Sequence, residues 1–164
     1  MKRKELRKVK SFWIFLLIVV GFVVFLYSFS KPDNVGDQTT ARVSSNLKFT
    51  VDATNDFEEA DTGIIFTLKN NEGEITVIRN GTQFGNLESY LKNLDSGPGY
   101  NVQDVDSMKI NNLDTVSRVE STSNNKYKIY YIFVNNAVYN LSTSSESLYD
   151  DLDRIAQSFR YTGD

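Results

Sequence analysis

The chain contains no cysteine and no histidine. Without cysteine there is no disulfide framework, no thiolate metal site, no thiol nucleophile and no lipid-modified cysteine. Without histidine there is no Ser-His-Asp triad and no histidine-ligated zinc or haem iron. Positive charge is scarce over most of the length. Residues 31–164 carry twelve Lys or Arg against twenty Asp or Glu, a net −8. Phosphate contacts need clustered cations, so no nucleic-acid partner is expected, and an anionic lipid surface repels such a domain.

What basic charge there is sits at the start. Residues 1–10 hold six Lys or Arg against Glu5, and residues 11–30 hold no charge at all. Ser11–Ser30 reads SFWIFLLIVVGFVVFLYSFS, apolar from Phe12 to Tyr27 except at Gly21. Twenty helical residues reach about 30 Å, the thickness of the hydrocarbon core. Trp13 and Tyr27 lie near its ends, where amphipathic rings prefer the interface. The pattern predicts one transmembrane helix over 11–30. The basic residues before it place the N-terminus in the cytoplasm and the acidic remainder outside. Ser28 and Ser30 have the spacing of a signal-peptide cleavage site, but the apolar run exceeds the usual h-region of about 7–15 residues. The reading is therefore an uncleaved anchor.

The 134 residues after the span suffice for one compact domain. Residues 31–45 are polar, carry Pro32 and Gly36, and read as a flexible linker to a domain over 46–164. Asn46–Asp52 alternates Leu47, Phe49 and Val51 and predicts a strand. Thr54–Asp61 reads as an acidic loop. Gly63–Lys69 and Glu74–Arg79 form a predicted hairpin through Asn70-Asn71-Glu72-Gly73. Asn86 caps a predicted short helix over 86–95, with Leu87, Tyr90, Leu91 and Leu94 on one face. Ser96-Gly97-Pro98-Gly99 stops it. Four strands follow: Asn101–Ile110, Leu113–Glu120, Tyr127–Asn135 and Ala137–Thr143. Their turns carry Asn111-Asn112, Asn124-Asn125 and Asn135-Asn136, residues that tolerate left-handed backbone. Tyr127–Val134 is apolar on both faces apart from Lys128, which marks a central strand covered on both sides. Thr143-Ser144-Ser145-Glu146 has the form of a capping box, and Leu148, Leu152, Ile155, Ala156 and Phe159 make one apolar helical stripe.

The order β-β-β-α-β-β-β-β-α, with short turns between strands, predicts an α+β fold: an α-β-α sandwich around one twisted antiparallel sheet. The last three elements carry a resemblance. Tyr127–Val134, then Ala137-Val138-Tyr139-Asn140-Leu141-Ser142-Thr143, then a helix ending Ile155-Ala156-Gln157-Ser158-Phe159-Arg160-Tyr161, resemble the close of the PsbP/Mog1-like families. The likeness covers about residues 46–162. It implies the sandwich fold more than one activity. Photosynthetic members are lumenal accessory subunits that help retain calcium and chloride, others are small-GTPase cofactors, and many bacterial ones are membrane-attached. Their metal-contacting histidine has no counterpart in a chain without histidine.

No catalytic, cofactor or metal residues emerge from the pattern. Asp150, Asp151 and Asp153 offer carboxylates of the kind calcium takes, but positions i, i+1 and i+3 do not converge on one helix face and suit the helix dipole instead. Asp104 and Asp106 alternate on a strand and point the same way. Asp56, Glu58, Glu59 and Asp61 are the densest acidic run. Asn80-Gly81-Thr82 and Asn140-Leu141-Ser142 match glycosylation acceptors, the second inside a predicted strand. Tyr127, Tyr130, Tyr131, Phe133 and Tyr139 form either a binding patch or core. The expectation is a non-enzymatic, single-pass membrane protein. Its outer domain serves an envelope complex through a protein partner. A module for calcium or a saccharide is the alternative, with a carboxylate-dependent hydrolase behind it.

Overall fold

The described residues form ten strands and two nine-residue α-helices. The computed structural model describes residues 38–163 apart from Pro98 and Tyr100. The predicted span, Ser11–Ser30, lies outside the described residues. Among the described residues no helix is long and apolar enough to cross a membrane.

Two sheets form, and every pairing in them is antiparallel. The strands of the larger one are β3 (Glu58–Asp61), β4 (Ile65–Asn70), β5 (Gly73–Gly81), β6 (Asn101–Ile110), β7 (Leu113–Ser121), β8 (Lys126–Val134) and β9 (Ala137–Thr143). Their spatial order is β3-β4-β5-β9-β8-β7-β6. The smaller sheet joins β1 (Thr39–Ser44), β2 (Phe49–Thr54) and β10 (Arg160–Tyr161) in the order β1-β2-β10. The helices are α1 (Leu87–Asp95) and α2 (Tyr149–Gln157), the latter preceded by a 3₁₀ turn over Glu146–Leu148.

The turns follow from residue chemistry. Asn111-Asn112 and Asn135-Asn136 all take positive φ, the two-residue hairpin loop that matches strand twist. Gly73 takes φ +149°, and a Cβ there would lie 2.1 Å from Ser145 Oγ, so only glycine fits. The loop before β8 is organised instead by Thr122, whose Oγ1 accepts the Asn125 N–H at 3.1 Å. At the start of α1, the Asn86 side chain accepts from the Ser89 N–H at 2.8 Å, the predicted cap.

The α-β-α sandwich is overturned. The domain is mostly β, and a second sheet stands where a helical layer was expected. Phe49, Val51 and Ala53 of β2 point into the main core opposite Phe66, Tyr139 and Leu141 of the large sheet. α2 lies across β2 and β9 and adds Leu152, Ile155 and Ala156 to the same core. Alternation told which face of β2 is apolar but not which sheet it joins. On the opposite face, among the described residues, α1 packs and sets Leu87 and Leu91 against Tyr131 and Val138. It lies in the connection from β5 to β6, which stand three strands apart across β9, β8 and β7.

Four local readings change too. The last helix, read as ending at Tyr161, stops at Gln157, and Arg160–Tyr161 pairs with β2 as β10. Residues 39–44, read as the end of the linker, pair with β2 as β1. Residues 58–61, read as loop, are the edge strand β3, whose four side chains are all exposed. Its charges suit an unpaired edge, which they guard against further strand addition. The capping box does not form. Ser145 makes no side-chain cap, and Thr143 Oγ1 accepts the Ser145 N–H at 3.2 Å while α2 starts later, at Tyr149.

Candidate functional site

α1 covers only part of its face of the sheet. Between it and β6–β7 lies an open groove of about 970 Å³. Leu87 and Leu91 line one wall and Val102, Val105 and Val116 the other, with Glu88, Lys92 and Asp114 also at the groove. Val105 is 60% exposed. A bulge in β6 between Gln103 and Asp106, with Asp104 at φ +51°, breaks the strand alternation there. Bulges re-aim side chains in this way, and Val105 lines the groove as a result.

Arg118 stands at the groove and is 2% exposed. Its Nε donates to Glu120 Oε1 at 2.8 Å, and its Nη1 lies 2.8 Å from Asp95 Oδ1 at the end of α1. The Tyr131 hydroxyl donates to Glu120 Oε1 at 2.5 Å, and the guanidinium sits 4.9 Å from the Tyr131 ring centre. Burial opposes the arginine charge, but the hydrogen bond to Glu120 and the surrounding charge outweigh it and raise its pKa. Burial, then the bond to Glu120, pushes the Tyr131 phenol up. The network ties α1 to the sheet and fixes one wall of the groove. The sequence signal for it was Arg118-x-Glu120, a spacing of two that puts both side chains on one strand face. Asp95 enters only through the tertiary fold.

The opposite face of the same strands holds a smaller pocket of about 350 Å³. Lys128 Nζ lies 2.6 Å from Asp153 Oδ1, and the Tyr130 hydroxyl donates to the same oxygen at 2.7 Å. Burial and this bond push the Tyr130 phenol up. Asp104 and Asp106 line this pocket together, brought there across the bulge rather than by alternation.

The remaining candidates disperse. Asp151 pairs with Arg154 and Asp153 with Lys128, while Asp150 is exposed. Three of the four acids of the run Asp56, Glu58, Glu59 and Asp61 are engaged along the β3 edge. Asp56 accepts from Asn70 at 3.0 Å, Glu59 pairs with Arg42 at 3.6 Å, and Asp61 accepts from Ser44 at 2.8 Å. Among the described residues no three acidic side chains are placed to hold a metal. Asn140 has its side-chain oxygen buried in β9, which leaves no room for a glycan. The aromatic residues fill interior space: Tyr130 and Tyr139 belong to the main core and Tyr131 to the smaller one, with Phe133 packed on the latter.

No protein-family model matches the chain. No curated protein sequence matches it either. Solved structures do. The solution structure of cyanobacterial PsbP (CyanoP) from Synechocystis sp. PCC 6803 matches with a TM-score of 0.51 at 9% identity, over 80% of this chain and 98% of that one. A crystal structure from Bacteroides thetaiotaomicron VPI-5482 matches with a TM-score of 0.53 at 17% identity, over 77% of this chain and 50% of that one. This chain thus spans about half the length of the Bacteroides protein. At these identities the likeness is one of fold, and it agrees with the resemblance carried by the last three elements: the fold of this chain is PsbP-like.

Proposed function

We propose that the chain is a membrane-tethered, non-catalytic binding module. Ser11–Ser30 anchors it, the PsbP-like domain lies outside, and the α1–β6/β7 groove receives a protein of an envelope complex. The observation that carries this reading is the groove itself, open, partly apolar and walled by a locked ion network. Several of the acids near it are already engaged. Asp95 and Glu120 hold Arg118, and Asp153 on the other face holds Lys128 and Tyr130. Carboxylates held in this way are not the free pair across a cleft that acid–base hydrolysis of a glycoside needs.

The test uses the full chain in cells with a photocrosslinking residue at exposed Lys92 on the rim, and a control at exposed Asp150 on α2. One membrane or envelope partner is expected in near-stoichiometric yield from position 92, absent from position 150 and lost on Val105→Glu. Equal capture of bulk membrane protein from both positions overturns the reading.

A further inference from the structure

We infer that the groove takes a short segment of the partner whose apolar centre is flanked by lysine or arginine; this rests on the reading of the groove as the binding site. Val105 is the first support. It is one of few large apolar side chains left exposed, and a backbone irregularity with Asp104 at positive φ is what puts it there. An edge strand that spends a bulge on an exposed valine has a surface to cover. Size is the second. At about 970 Å³ the groove lies at the top of the range of about 300–1,000 Å³ for small-ligand pockets and is open to solvent, which leaves room for a chain segment.

Charge is the third. Arg118 is more than offset by Asp95 and Glu120, so the network beside the groove is net negative. Of the other acids lining the groove, Glu88 stands on α1 and Asp114 is already paired with Lys109. Among the described residues Lys92 is the one lining cation that pairs with no acid. Cationic flanks complement such a surface. A second copy of this chain does not. Antiparallel pairing of β6 with itself brings the Asp104 and Asp106 pairs close together near the strand centre, and the bulge interrupts the ladder.

The experiment follows fluorescence anisotropy with the full chain in detergent. Two labelled nine-residue peptides are compared, each with a Val-Leu-Val centre, one flanked by lysines and one by glutamates. Saturable binding of the lysine peptide at least tenfold tighter than the glutamate peptide is expected. Val105→Asn should weaken it about tenfold and Glu88→Gln about threefold, with the thermal midpoint of both variants unchanged. Equal binding of both peptides, or binding indifferent to Val105→Asn, overturns the inference. A concentration-dependent dimer in sedimentation, abolished by Val105→Asn, also overturns it and assigns the groove to a second copy. A partner crosslinked from position 92 with no lysine-peptide binding sinks this inference and leaves the proposed function standing.

Discussion

The two faces of the seven-stranded sheet are built differently. On one, Phe49, Phe66, Tyr139 and Phe159 are each no more than 1% exposed and pack ring against ring, with centres 5.0–6.0 Å apart in the closest pairs. The Tyr139 hydroxyl donates to the Leu47 carbonyl at 2.5 Å, a bond between the two sheets. On the other, four buried side chains form a small core, and a buried guanidinium takes the place that more apolar residues would fill. A closed face is where burial stabilises. A face that keeps a charged network and an open groove has given up area, and that surrender is what leaves the groove open. Burial is worth about 25 cal/mol per Å², so the closed face carries most of the stability.

Substitutions can break this comparison. Phe159→Ala should cost about 4 kcal/mol, because the ring is fully enclosed and its neighbours are held by two sheets and a helix. Urea unfolding of the full chain measures it. Next comes Arg118→Met, expected to cost about 3 kcal/mol by leaving Glu120 buried without its cation. Replacing both, with Arg118→Met and Glu120→Leu, should recover most of that loss. If the double variant is as unstable as the single one, the network is more than a local ion pair.

Leu91→Ala should cost about 2 kcal/mol, at the low end for a core leucine, since its cavity opens to the groove. A loss as large as that of Phe159→Ala would mean both faces form one cooperative core, and the distinction would fall. Alkaline pH sharpens it from another side. Tyr130 and Tyr131 lie on opposite faces, and both phenols are raised above their ordinary value of 10.0, chiefly by burial. The folded state therefore holds the phenolic protons more tightly than the unfolded one. That stability is fully present below about pH 10 and is lost as pH climbs beyond it. Unfolding midpoints followed from pH 8 to 11 should fall above pH 10, and Tyr131→Phe should flatten the fall. The smallest effect belongs to Lys109→Ala. Its pair with Asp114 is exposed on both sides, so the change should stay within about 0.5 kcal/mol.

Much of the local structure was legible. Asn101–Ile110 and Ala137–Thr143 match the predicted strands at both ends, and β7 and β8 within one residue. The stripe Leu148, Leu152, Ile155, Ala156, Phe159 is buried throughout. β1 and β3 were missed because TTARVS and EEAD lack apolar alternation: each is a sheet edge with little to bury. Val102, Val105, Arg118 and Glu120 were legible as strand residues, with nothing in the sequence analysis to mark them as a site. The groove was not, because a bulge decides where Val105 faces and α1 supplies the other wall.

The sequence alone determined where most strands, the Asn and Gly turns and both helices fall, which faces are apolar, and that the tail of the chain is PsbP-like. Those signals are local, set by backbone sterics at Asn and Gly and by the periods of helix and strand. Tertiary structure decided that the domain has two sheets, that Asp95 meets Arg118 across 23 residues of chain, and that α1 leaves a groove beside the sheet. Which sheet a strand joins, and which charge a buried arginine meets, depend on packing between segments far apart in sequence, and no local pattern records that.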